Sequence, residues 1–270
     1  MACLKPSARR PSAFAPAGLR NNQGTITMEA PMPIPRIIHQ TCKDKRALPG
    51  ELVANIERMR TLNPSWEHRL YENLEMDDFI STHYSADVVG AFRKINPAYG
   101  VARADLFKYL LVHQCGGVYL DIKSTAMKPL DEVLQATDHF LLAQWHNKLG
   151  DEFQSYGLHP ELTTIPGGEF QQWHIVAAPG HPFLAHVVNR ALFNIRSYDA
   201  GFHGVGAMGV YRTTGPICYT LAIAPHLGKA PFRIVDAREI GFKYSIYPGP
   251  PNTHRKILGD YTGLTEAVVL

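Results

Sequence analysis

Four charged residues close together in the chain have types and spacing that can do chemistry: Asp105, Lys108, Asp121 and Lys123. Asp105 and Lys108 are three apart, so on a helix they share a face while Leu106 and Phe107 point elsewhere. Gly116-Gly117 supplies a helix stop, because glycine tolerates the left-handed backbone that closes a helix. Val118–Leu120 then reads as a short strand that delivers Asp121 at its carboxyl end. In α/β sheets ligands bind outside the carboxyl ends of strands, so a carboxylate and polar helix residues come to one ligand-binding edge. Taken alone, the Asp105–Lys108 pair reads equally well as a solvated i,i+3 ion pair worth a few tenths of a kcal/mol. Arg103 lies two positions from Asp105, about 200° around a helix of 3.6 residues per turn. It shares that face only if the helix starts later.

The elements that must position these residues follow from periodicity. Arg36-Ile37-Ile38-His39-Gln40 reads as a short buried strand, and 66–71 as a second. Helical spacing marks 51–60, then 74–82, 85–95 and 101–115, with Leu106, Phe107, Leu110 and Leu111 forming a broad apolar face on the last. Further strands are expected at 140–145 and 173–177, and further helices at 181–195 and 216–226. Strands alternating with helices predict an α/β fold with a mainly parallel sheet flanked by helices. Residues 1–33 are rich in Ala, Pro, Ser and Arg, and read as a disordered extension or as the product of a start placed too early, Met28 being the next methionine. One domain is expected over residues 34–270.

Composition excludes several classes. The chain has 270 residues with a formal charge of +3. Residues 1–36 hold Lys5, Arg9, Arg10, Arg20 and Arg36 against Glu29 alone, so the rest of the chain is nearly neutral. It lacks the basic footprint of a nucleic-acid binder. No apolar run approaches the ~18 residues of a spanning helix, so no transmembrane segment is expected. Four widely spaced cysteines and no HExxH motif give no visible zinc site and fit a reducing cytoplasm.

Other features read less sharply. Gly204-Val205-Gly206-Ala207-Met208-Gly209 fits the G-x-G-x-x-G dinucleotide fingerprint, but no hydrophobic strand precedes it and Lys229 stands where the acid should be. The glycines read instead as a flexible loop. Trp145, Tyr156 and Trp173 form either core packing or a sugar-stacking platform. Glu169, after Gly167-Gly168, reads as an exposed loop acid or an acceptor-side residue.

In order along the chain stand Ile34-Pro35-Arg36-Ile37-Ile38-His39-Gln40, Asn63-Pro64-Ser65-Trp66, Arg103-x-Asp105-x-x-Lys108-Tyr109 and Gly116-Gly117-Val118-Tyr119-Leu120-Asp121. With His181-Pro182 and Thr214-Gly215-Pro216, this series resembles glycosyltransferase family 32, over about residues 34–220. The resemblance implies a GT-A fold and a retaining transferase that moves a hexose from a UDP- or GDP-sugar to a glycan, lipid-linked or protein acceptor. By the same resemblance, Ile38, His39 and Gln40 lie near the nucleotide base. Asp105 holds donor hydroxyls, flanked by Arg103, Lys108 and Tyr119 as donor-binding positions. Lys108 stands where the family has arginine, which keeps the cation and loses the planar fork.

Asp121 matches the first acid of the family's Asp-x-Asp motif; the second is replaced, giving Asp121-Ile122-Lys123. In the usual motif a divalent cation, Mn2+ or Mg2+, neutralises the donor diphosphate. Three readings follow. The Lys123 ammonium replaces the metal; or a metal stays on Asp121 with a later ligand such as His254 or Asp260; or the site is degenerate. The last leaves a nucleotide-sugar or carbohydrate-binding protein as the alternative function. The expected setting is cytoplasmic, at most peripheral to a membrane.

Overall fold

The first strand, β1 (Ile37–Thr41), is buried along nearly its whole length. In the computed structural model, which describes residues 34–250 and 252–270, it pairs in parallel with β2 (Glu67–Tyr71) on one side and β3 (Gly117–Leu120) on the other. The expectation for residues 1–33 lies outside the described residues. Helix α1 (Gly50–Leu62) connects β1 to β2. Helices α2 (Asn73–His83), α3 (Ala86–Lys94) and α4 (Gly100–Cys115) then lead back to β3.

Beyond β3 the sheet continues through β6 (His174–Ala177), β5 (Phe140–Leu142) and β7 (Arg233–Ile234), in the order β2-β1-β3-β6-β5-β7. β6 runs antiparallel to both its neighbours, and the other three pairings are parallel. The sheet is thus mixed, with parallel pairings in the majority. A separate ribbon pairs β4 (Thr125–Ala126) with β8 (Phe242–Lys243). The remaining helices are the one-turn α5 (Leu130–Val133), then α6 (Pro182–Arg196), α7 (Ala200–His203), α8 (Gly206–Thr213), α9 (Pro216–Ile223) and the one-turn α10 (Arg255–Leu258).

Side-chain alternation divides the sheet into two faces. Ile38, Val118, Leu120 and Val176 enter a core with Met59, Trp66 and Trp173. α4 packs against α2, α6, α8, β3 and β6, and is buried on almost every side. Its Leu106, Phe107, Leu110 and Leu111 are wholly excluded from solvent, each contributing about 1.5–3 kcal/mol by burial. A helix apolar all round belongs inside a protein. That burial makes the charges on α4 consequential.

Gly116 and Gly117 do more than end α4. Both have positive φ, +65° and +101°, and a Cβ on Gly117 would lie 2.7 Å from the Ile37 carbonyl oxygen. Their bare backbones let the chain reverse and lay β3 directly against β1.

Two expectations need correction. The glycine-rich stretch at 204–209 is not a flexible loop: α8 begins within it. Gly209 lacks the Cβ that would collide with Gly204 O at 2.6 Å and Val268 at 2.8 Å, so these glycines serve close packing. The helix expected over 216–226 ends at Ile223 and finishes as a 3₁₀ turn, Ala224–His226, because Pro225 has no N–H to continue it. Among the described residues no helix is long and apolar enough to cross a membrane.

Candidate active site

The turn from α4 into β3 brings the four charges into one row. Lys108 Nζ lies 2.8 Å from Asp105 Oδ1 and 3.9 Å from Asp121 Oδ1, while Lys123 Nζ donates to Asp121 Oδ2 at 2.6 Å. Signs alternate along the row, and it is formally neutral. Asp105 and Lys108 are each only 2% exposed, so the pair is not the solvated one that spacing alone allows. Of the four, Asp121 is the most open, with 29% of its side chain exposed.

Hydrogen bonds fix the row. Thr214 Oγ1 donates to Asp105 Oδ2 at 3.3 Å, Gln172 adds a second bond to that carboxylate, and Tyr109 donates to the Thr214 carbonyl. The loop after β3 is held by Ser124, which donates to the Tyr244 carbonyl, and by Asn55, which donates to the Ser124 carbonyl. The Ile246 amide donates to the Lys123 carbonyl. Lys123 Nζ also sits 4.2 Å from the Tyr244 ring centroid, a favourable seat for a cation.

Burial and neighbours oppose one another here. Burial dominates at Asp105 and raises its carboxyl above the ordinary range, against the pull of Lys108. At Asp121 burial also pushes upward, but Lys123 and Lys108 together outweigh it and hold the carboxyl low. Burial lowers Lys123, although Asp121 opposes this. His254 is brought to about 4, by burial and then by Lys123, so it is neutral near pH 7.

The row opens into a cleft of about 350 Å³ lined by Asp105, Asp121 and Lys123 and also by Trp145, Tyr156, Trp173 and Tyr244. The aromatic residues weighed as core or platform therefore act as both: Trp173 and Trp145 belong to the core and also wall the cleft. Glu169 is not an exposed loop acid. It is 7% exposed, accepts from Trp145 Nε1 at 2.6 Å and pairs with His159 at 2.9 Å on the cleft wall.

Most of the other sequence-derived positions lie outside that lining. Ile38 is in the core, and Gln40 donates to the Asp121 carbonyl at 3.3 Å from beneath. His39 is bonded to the Gly116 carbonyl at 3.0 Å, and Tyr119 to Thr41 at 2.9 Å. These four brace the site. Arg103 falls within α4, so the 200° offset applies; its guanidinium stacks on Phe92 at 4.3 Å, away from the cleft. Asp260 bonds to Thr262 and does not line the cleft, whereas His254 does. Sequence reasoning missed Arg255, His159 and Tyr244. They reach the cleft from distant segments that carry no spacing signal.

Residues 49–140 match the family described as a glycosyltransferase sugar-binding region containing a DXD motif. That segment encloses the whole Asp105–Lys123 row. Over that segment the chain is similar to the family-32-like glycosyltransferases. The initiation-specific α-1,6-mannosyltransferase of Candida albicans is 29% identical over 58% of this chain and 42% of its own. Inositol phosphoceramide mannosyltransferase 3 of Schizosaccharomyces pombe is 28% identical over 68% and 43%. The matched region thus spans less than half of each of these relatives. Among solved structures, the PaToxG glycosyltransferase superposes with a TM-score of 0.51 at 12% identity, covering 73% of this chain and 71% of that one. The fold is GT-A.

The likeness to a DXD-motif family raises the question of a divalent cation, and the residues do not fit one. Among the described residues no group of three or more His, Cys, Asp or Glu side chains is placed to share a metal. Asp121 and His254 face the same cleft, and the His254 Nδ1 atom is buried without a partner, but two donors do not make a site. The second acid of the motif is Lys123, and it points at Asp121 rather than away. At an effective dielectric near 20 an ammonium repels each unit of positive charge 4 Å away by about 4 kcal/mol.

Proposed function

We propose that this chain is a retaining hexosyltransferase that takes its sugar from a nucleoside-diphosphate donor, UDP- or GDP-linked. The observation that carries the reading is the Asp105–Lys108–Asp121–Lys123 row at the carboxyl end of β3, in a cleft it shares with aromatic side chains. A mannosyl group is the favoured cargo, because the relatives matched above are mannosyltransferases. A glycan or a lipid headgroup is the favoured acceptor on the same ground. Free thiols at Cys42 and Cys218 support a cytoplasmic setting, where a lipid-linked acceptor is met at the membrane surface.

The chemistry asks little of the protein by way of acid or base. The bond from the anomeric carbon to the donor phosphate breaks, and a bond to the acceptor oxygen forms on the same face. The acceptor proton passes to the departing phosphate oxygen. Catalysis then rests on positioning and on stabilising the leaving-group charge. Asp105 and Asp121 accept hydrogen bonds from donor hydroxyls, Lys108 fixes both carboxylates, and the aromatic wall stacks on the sugar and excludes water.

Release of nucleoside diphosphate from a panel of UDP- and GDP-sugars, with manganese and separately with EDTA, tests the reading. Turnover of one donor is expected, cut about a hundredfold or more by Asp121→Asn with the fold intact. An unaffected Asp121→Asn rate removes the site assignment. A second reading, a binder without turnover, draws on Lys123 standing in place of the second acid; it is favoured if a donor binds and is never consumed.

A further inference from the structure

The misfit between the metal-binding motif and this chain has a physical counterpart in the cleft. An Asp-x-Asp pair holding a divalent cation has no net formal charge. Asp121-Ile122-Lys123 reaches the same zero without one, because exchanging a carboxylate for an ammonium adds the two positive charges that the metal brings. The ammonium is fixed: Lys123 Nζ bonds Asp121 Oδ2 at 2.6 Å and rests on the Tyr244 ring.

The same cleft carries a second cation, Arg255, from the other end of the chain. Its guanidinium makes a long 3.4 Å bond to the Tyr211 hydroxyl and lies 5.7 Å from the Tyr261 ring centroid. It forms no ion pair with a carboxylate among the described residues. Arg212 and Arg233, by contrast, are matched to acids, Glu161 and Asp138. A half-buried guanidinium left without a carboxylate in a ligand cleft is suited to a phosphate, which it can grip through two N–H donors.

We infer that Lys123 and Arg255 form a resident diphosphate clamp that replaces the divalent cation, so that this chain binds a nucleoside diphosphate without metal. The inference rests on the transferase reading and specifies its leaving-group site. In the reaction the clamp holds the β-phosphate oxygens on which negative charge grows as the glycosidic phosphate bond breaks. No metal ligand is needed, and Asp121 is left free to orient Lys123 and to accept from a donor hydroxyl.

The test is calorimetric titration of UDP and of GDP into the full chain, in EDTA and again with excess manganese. Binding of one nucleotide in EDTA is expected, with affinity changed less than about twofold by manganese. Lys123→Met and Arg255→Gln should each weaken it about tenfold or more, with melting curves confirming that both variants fold. Lys123→Asp restores the acid pair and should bind the nucleotide well only with manganese. Binding by the natural chain that needs manganese overturns the clamp and leaves the transferase reading standing. Metal-free binding that neither Lys123→Met nor Arg255→Gln weakens also overturns it. Absence of binding in both conditions overturns the clamp and the transferase reading together.

Discussion

Changing Asp105 to Asn keeps the shape of the side chain and removes its charge. Lys108 is then a 2%-exposed ammonium whose nearest carboxylate is Asp121, 3.9 Å away and already bonded to Lys123 at 2.6 Å. Breaking a buried pair from one side costs about 3–5 kcal/mol, because the surviving charge has neither water nor partner. For a chain of this size that corresponds to a fall in melting temperature of roughly 6–20 °C. Replacing both members, Asp105→Asn with Lys108→Met, removes the stranded charge and should recover most of that loss. Thermal melting of parent, single and double variants beside donor hydrolysis separates stability from function. The double variant should be folded and inactive. A single variant melting within about 2 °C of the parent would show that the pair is solvated in practice and refute the burial argument. A folded double variant with normal turnover would remove Asp105 and Lys108 from the site.

Gly117→Ala should cost more than about 2 kcal/mol, since it puts a Cβ at φ +101° and 2.7 Å from the Ile37 carbonyl; soluble protein with an unchanged urea midpoint would contradict this. Acid should destabilise the fold well above the carboxylate range. His39 and His174 are held at about 3, and His68, His181 and His254 at about 4, chiefly by burial. Their unfolded values lie near 6.5, so between about pH 6.5 and 4 the unfolded chain binds more protons and stability falls as pH falls. Each histidine contributes up to about 1.4 kcal/mol per pH unit in that window. Urea midpoints at pH 7.5, 6.5 and 5.5 should therefore drop steeply over the last interval, and a flat series would show that these rings are open to solvent.

The first half of the fold is legible because its signals are local. The strand at β1, the helices from α1 to α4 and the glycine stop before β3 each rest on residues a few positions apart, and the structure keeps them within a residue or two. The three-residue spacing of Asp105 and Lys108 was enough to place them together. What spacing does not contain is burial: the same pattern serves a solvated pair, and only the packing of α2, α6 and α8 around α4 decides between them. The burial of Glu169 escapes the sequence for the same reason. Its loop composition suggests exposure, whereas Trp145 and His159 converge on its carboxylate from elsewhere in the fold. The reversal of β6, which makes the sheet mixed, also depends on long-range pairing with Gly117–Leu120.

Completion of the cleft by the C-terminal segment follows from how that segment is anchored. Tyr99, at the start of α4, donates to the Glu266 carbonyl at 2.7 Å and accepts from the Gly206 amide at 2.9 Å. Asn96 holds the Ala267 carbonyl, and Ile95 bridges to Val269. The tail is thus tied to the helix that carries Asp105 and Lys108. On the other side the loop after β3 is tied to Tyr244 and Ile246. His254 and Arg255 lie between these two attachments and so are carried to the cleft with little local signal of their own. A cut or insertion between residues 246 and 261 would therefore act on the charge balance of the site before it acted on the sheet. Loss of nucleotide affinity at an unchanged melting temperature is the behaviour expected of a segment that serves the ligand rather than the core.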